Sequence, residues 1–503
     1  MRIIGYTVGE ASPSRATFVT KEVPRVGQYV VMNYGDKKVL GMIQSLVRGS
    51  VALTGEIHDP AAIERIKELG GDRDHYIRGV VKILGDVESL EIPRSPPPPG
   101  TEVYEADPET LRRIFGGDNR SSIRLGVLIA QPEVPVYVDV NKMVTRHLAI
   151  LAVTGAGKSN TVAVLADRIA GLNGAVLIFD MHSEYVNADF TQGRVNPIKP
   201  EINPLTLSTP EFLRLLNVGQ QAYTQERYFR KALREARSRL YRKEVDAQGF
   251  LDAIRNVLEE YMEDERYRGD KNSIVSLLNK VEALVENYGF ILNPYASDIV
   301  DQLRLGHVNV VDLGQLDEEV ADVIVSHTLS SLLRKRKAHV TGGRDGLPYP
   351  VFVVLEEAHI LAPKDRNTIS KHWISRVARE GRKFGVGLCL VSQRPKALDA
   401  DTLSQANNMI VLRLVEPSDQ RYVQEASEAL SEDLVEQLPS LNVGEAVVLG
   451  MMVKVPALVK IDKFEGKLVG GDIDVVAAWR SQAPTEETAR MAVAELDDLL
   501  DEW

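Results

Sequence analysis

The chain has 503 residues, 44% of them apolar, enough for several buried cores and about three domains. Its single cysteine, Cys389, excludes an intrachain disulfide and any cysteine-based zinc site, and fits a reducing compartment. A net charge of −11 argues against a uniformly basic nucleic-acid binder, although Glu486, Glu487, Glu495, Asp497, Asp498, Asp501 and Glu502 concentrate part of that excess at the end of the chain.

The opening residues, Met1-Arg-Ile-Ile-Gly-Tyr, have no signal-peptide architecture. No apolar run approaches the roughly 20 residues that cross a bilayer, so a soluble, cytoplasmic protein without membrane contact is expected. Up to about Val87 the pattern alternates: Arg2–Val8, Gln28–Met32, Lys38–Ile43 and Tyr76–Leu84 read as strands between Gly-, Pro- and Asp-bearing turns. Short strands at this spacing predict a small N-terminal β-barrel over residues 1–135. That span includes the stiff polyproline connector Pro93–Gly100, and Ile123–Ile129 reads as the last strand of this domain.

From Val144 the period changes. The runs Leu148–Leu151, Ala175–Asp180, Val308–Leu313, Pro350–Leu355, Val386–Val391 and Met409–Leu414 are continuously apolar and alternate with helical segments. That pattern predicts a mainly parallel sheet covered on both faces, with the α/β core occupying 136–208 and 301–465. Residues 209–300 show helix spacing without strands and read as an inserted helical bundle. Residues 466–503 read as an acidic, helical C-terminal extension.

The core's first strand runs into Ala152-Val-Thr-Gly-Ala-Gly-Lys-Ser159 and then a helical pattern from Asn160. Strand, glycine loop and helix in that order define a phosphate-binding loop. The core is therefore expected to be an α/β P-loop NTPase of RecA-like type. Backbone amides of Thr154, Gly155, Ala156 and Gly157, with Asn160 behind them, would cradle a triphosphate. Lys158 would reach its β/γ oxygens and Ser159 would ligate Mg²⁺, making ATP and Mg²⁺ the expected cofactors. The usual leading glycine is Ala152, tolerable if its φ stays negative.

A second apolar strand, Phe352–Leu355, ends in Glu356-Glu357. One carboxylate is expected near the metal and the other near the attacking water; Glu356 is assigned to the metal, through a bound water, and Glu357 to the catalytic base. Gln393, just past the strand Val386–Val391, reads as a γ-phosphate sensor or as a turn residue; the sensor reading is preferred. Asp180 ends Ala175–Asp180 and is a candidate for positioning water or metal, whereas His182 beside it reads as a loop residue. The helical stretch Thr368–Phe384 carries Arg376, Arg379, Arg382 and Lys383 opposite an apolar stripe. Arg379 and Arg382 are chosen as arginines serving a neighbouring subunit's γ-phosphate. Lys364 and Arg366 read as pore contacts or as ordinary turn residues.

The ordered set formed by Arg146-His-Leu-Ala-Ile, the phosphate loop, Phe179-Asp-Met-His-Ser-Glu-Tyr185, Leu355-Glu-Glu-Ala-His359, Arg379-Glu-Gly-Arg-Lys-Phe-Gly385 and Ser392-Gln-Arg-Pro395 resembles HerA, the archaeal hexameric DNA translocases related to FtsK. The resemblance spans nearly the whole chain. It implies a homohexamer that moves DNA, expected to be double-stranded, through its pore during double-strand-break end resection, with the barrel docking a NurA-type nuclease. It also implies that Arg146, Lys460 and Ile461 line the nucleotide pocket. Two other classes stay open: a nucleotide-gated assembly switch and a protein-translocating ring.

Overall fold

In the computed structural model the described residues are 2–469 without 70–74, 119, 220 and 428–429, together with 475, 476 and 479. The expected extension 466–503 therefore lies almost wholly outside them. Six strands form a closed barrel: β1 (Ile3–Thr7), β2 (Arg15–Thr20), β3 (Tyr29–Tyr34), β4 (Lys37–Ser50), β5 (His75–Asp86) and β6 (Glu102–Glu105), in the order β1-β2-β5-β4-β3-β6. Alternation along β2 sends Ala16 and Phe18 inward, where Phe18 meets Val30, Met32, Ile43 and Val81. The Phe18 ring lies so close to Gly79 that a side chain there would displace it. The proline connector leads into β6, which pairs with both β1 and β3 and removes the open edges.

Ile123–Ile129 does not belong to the barrel, and that expectation is corrected. It forms β7 (Ser122–Leu128), which pairs with β8 (Pro135–Asp139) and with β17 (Ala457–Ile461) in the large sheet. The chain leaves the barrel after β6 through a helix, Pro108–Phe115, started by the Asp107 cap. Antiparallel alternation reads the same in a barrel and at a sheet's end, so sequence could not separate the two.

The large sheet holds eleven strands in the order β11-β12-β10-β13-β14-β9-β15-β16-β17-β7-β8. Its parallel part comprises β9 (Leu148–Leu151), β10 (Ala175–Asp180), β11 (Arg194–Ile198), β12 (His307–Asp312), β13 (Val351–Leu355), β14 (Val386–Ser392) and β15 (Asn408–Val411). From β16 (Glu445–Gly450) onward the pairing is antiparallel. β9, β10, β13 and β15 are buried throughout, as strands covered on both faces must be. Helices Thr209–Leu215, Tyr223–Tyr241, Phe250–Glu263 and Lys271–Tyr288 occupy the strand-free stretch. No helix among the described residues is long and apolar enough to cross a membrane.

Candidate nucleotide site

β9 ends at Leu151, and the next two amides anchor the loop between neighbouring strands. Ala152 donates to the Ser392 carbonyl at 3.2 Å and Val153 to the Arg413 carbonyl at 3.0 Å. Ala152 is not among the residues with positive φ, so the leading glycine is dispensable here, whereas Gly155 (φ 75°) and Gly157 (φ 103°) use conformations that favour glycine. Gly157 is the N-cap of the helix Lys158–Gly171 and supplies no side-chain cap. The first-turn amides are consequently free for an anion at the positive end of the helix dipole.

The back of the loop rests on the end of the core. Gly444 donates to the Ala156 carbonyl at 2.9 Å, and a Cβ on Gly157 would stand 3.3 Å from the Gly444 backbone. Ile461 donates to the Gly444 carbonyl at 2.9 Å, and Lys460 Nζ donates to the Val443 carbonyl at 2.5 Å. Asn160 donates to the Asp462 carbonyl at 2.9 Å and accepts from the Phe464 amide at 2.8 Å. Thr154 through Asn160 thus gather with Lys460 and Ile461 in one place. Arg146 does not join them: it precedes β9, whose length of about 13 Å separates it from the phosphate loop of its own chain.

Glu357 sits at the mouth of the loop with φ 43° and ψ 45°, a strained left-handed conformation for a residue with a side chain. That backbone turns its carboxylate off the strand line. Its Oε1 accepts from Lys158 Nζ at 2.6 Å, Gln393 Nε2 at 2.7 Å and a ring nitrogen of His182 at 3.4 Å. His359 Nδ1 stands 3.3 Å from Oε2. Gln393 also accepts from the Thr154 hydroxyl, closing a path from loop to carboxylate. Burial works against ionisation of Glu357, but the charge and hydrogen bond of Lys158, with the bond from Gln393, hold it below the usual carboxylate range. An ionised carboxylate faces the phosphate loop, as a water-orienting base requires.

Glu356 behaves differently, lying beneath the surface of the site. It is fully buried; Oε1 accepts from the Tyr185 hydroxyl at 3.0 Å while Oε2 has no partner among the described residues. Burial pushes its pKa up to about 8, only partly opposed by Lys158. Enclosed as it is, Glu356 could reach a Mg²⁺ only through a bound water. The residues fit a Mg²⁺ carried in on nucleotide phosphates, a mode that needs few protein ligands, with the partly exposed Ser159 in range of the uncapped helix end. Because the folded pKa is raised, the contribution of Glu356 to stability is complete below about pH 4.5 and is lost as pH rises toward about 8. Glu356→Gln should therefore gain urea resistance relative to the unaltered chain between pH 5 and pH 8; a constant difference across that range would contradict the assignment.

Asp180 is also corrected. It is fully buried, and its two oxygens accept from the amides of His182 (3.3 Å), Glu184 (3.1 Å), Tyr185 (2.8 Å) and Val186 (3.2 Å). No capacity remains for water or metal; this carboxylate folds the loop after β10. Asp180→Ala leaves those amides unpaired and should lower stability by on the order of 3 kcal/mol, read as a shifted urea midpoint.

The arginines gather at the opposite edge of the sheet. The helix Ile369–Glu380 ends just before a short turn, Gly381–Phe384, that enters β14, so Arg379 and Arg382 stand near the N-terminal ends of β14 and β9, close to Arg146. Gly381 is required there, because a Cβ would strike the Val386 carbonyl. His147 ties this corner together, bonding the Ala378 carbonyl through Nε2 at 2.9 Å and accepting from the Leu388 amide through Nδ1 at 3.0 Å. Burial lowers its pKa to about 4, so it stays neutral. Nothing in the sequence marked His147 for this role. Arg379 and Arg382 are exposed and make no ion pair among the described residues, whereas Arg376 pairs with Glu380 at 3.2 Å. Lys364 lies over the Tyr422 ring and Arg366 pairs with Glu318 at 2.6 Å, both on the exposed surface.

Fold and site define a phosphate-loop ATPase whose nucleotide edge lies at the C-terminal ends of parallel strands. The chain matches the family models described as HAS barrel domain (residues 4–89), helicase HerA central domain (123–332) and helicase HerA-like C-terminal (342–464). It is 44% identical to a probable helicase of Methanocaldococcus jannaschii over 95% of this chain and 94% of that protein. It is likewise 44% identical to the DNA double-strand break repair helicase HerA of Sulfurisphaera tokodaii, over 95% of this chain and 96% of the relative. Among solved structures, the bacterial conjugative coupling protein TrwB, N-terminally truncated, superposes with a TM-score of 0.50 at 14% identity, covering 71% of this chain and 92% of that one, a likeness of fold. The chain belongs to the HerA helicase family.

Proposed function

We propose that the chain is an ATP-driven DNA translocase that works as a homohexameric ring, with a NurA-type nuclease on its barrel, in double-strand-break end resection. One observation carries the reading. Lys158 and Glu357 meet at the phosphate loop, while Arg379, Arg382 and Arg146 lie at the other edge of the same sheet. Head-to-tail packing of copies would set one edge against the other, and such heterologous contacts give a ring when the rotation between copies closes.

In this reading Lys158 exchanges Glu357 for the β/γ oxygens of ATP, and the first-turn amides of the 158–171 helix hold the remaining phosphate charge. Freed from Lys158, Glu357 takes a proton from the attacking water. Gln393, which bonds both Glu357 and Thr154, registers whether the γ-phosphate is present. Arg379 and Arg382 of the adjacent copy, with Arg146, neutralise the charge that develops. Mg²⁺ on Ser159 would supply further neutralisation of the phosphate oxygens. Opening and closing of each interface with the nucleotide cycle then shifts the ring between states that grip and release DNA.

The test is phosphate release with and without duplex DNA, together with displacement of a labelled strand. Duplex-stimulated hydrolysis and ATP-dependent displacement are expected. Hydrolysis indifferent to DNA would favour the assembly-switch reading instead.

A further inference from the structure

We infer that His182 is a positioning residue for Glu357: the group that the loop after β10 contributes to hydrolysis is this imidazole, presented by a loop that Asp180 folds. The inference rests on the reading of Glu357 as the base. Its starting point is the crowding on Glu357 Oε1, which accepts from Lys158, Gln393 and His182 together. When phosphates arrive Lys158 leaves for them; Gln393 and His182 stay on that oxygen, with His359 at the other, Oε2, at 3.3 Å. Gln393 is shared with Thr154, on the loop that must adjust to the nucleotide. Among the described residues the His182 ring makes no second hydrogen bond.

The loop bearing His182 is pinned at every step. The His182 amide itself is held by Asp180, as are those of Glu184, Tyr185 and Val186. Ser183 adopts φ 57° and donates to Asp312 Oδ1 at 2.7 Å. The Glu184 carbonyl accepts from the Val469 amide at 3.2 Å. A buried carboxylate taking four amides within six residues builds a rigid turn, and the side chain that this turn aims at the site is His182. Because an ionised carboxylate only accepts, the Nε2 facing Glu357 must carry the proton. A half-exposed histidine on a free loop would carry no such argument.

Steady-state ATP hydrolysis by the full chain tests this with three substitutions. His182→Ala should lower kcat about tenfold or more while KM and the affinity for a fluorescent ATP analogue change less than about twofold, the signature of a misplaced base rather than lost binding. His182→Gln, whose Nε2 can occupy the position of the imidazole Nε2, should recover most of the turnover; the shorter His182→Asn should not. Wild-type kcat in His182→Ala, or equal losses in Gln and Asn variants, would overturn the inference while leaving the ATPase reading intact. Absence of hydrolysis by the unaltered chain would remove that reading itself.

Discussion

Glu357→Gln protein should bind ATP yet release phosphate about 10²–10⁴-fold more slowly than the unaltered chain, the range that a positioned general base contributes. The amide keeps the size of the side chain and the donors around it but cannot take the proton. Lys158 is buried against Glu357 in the nucleotide-free arrangement, so neutralising the carboxylate also removes a competitor for Lys158. ATP affinity should accordingly hold or rise. Filter binding of labelled ATP and single-turnover phosphate release read the two quantities separately. Turnover within a few-fold of wild type would remove Glu357 from the chemistry.

Arg382→Ala is expected to lose on the order of 10³-fold or more in turnover, the scale on which an arginine at the γ-phosphate acts. Its exposure and lack of an ion partner among the described residues predict little loss of chain stability, and the solution mass of the proposed ring should not change. Mixing makes the test specific to the interface. A ring assembled from Arg382→Ala and Glu357→Gln chains contains some interfaces with an intact base on one side and an intact arginine on the other. Those interfaces should restore a measurable fraction of activity that neither variant shows alone. No recovery from co-assembled rings would place Arg382 outside the site.

Sequence made the phosphate loop legible because glycine and lysine spacing is local chemistry, framed by one strand and one helix. The barrel strands were legible for the same reason, through alternation and turn residues. What escaped the sequence is non-local or conformational. β7 alternates like a barrel strand, and only its pairing with β17 puts it in the core. Glu356 and Glu357 are adjacent and chemically alike; the left-handed backbone at Glu357 sends one carboxylate to Lys158 and leaves the other buried against the Tyr185 hydroxyl. Asp180 ends its strand as a catalytic carboxylate would, but the turn that follows it consumes every lone pair in reach. Arg146 neighbours the phosphate loop in sequence, and a strand's length removes it from that loop in space.

The central claim is that Lys158 holds a triphosphate opposite Glu357. Isothermal titration of ATP with magnesium tests it most directly. Saturable binding by Glu357→Gln protein, abolished when Lys158→Ala is added, is the predicted result. No heat from either protein, or binding that survives loss of Lys158, would contradict it.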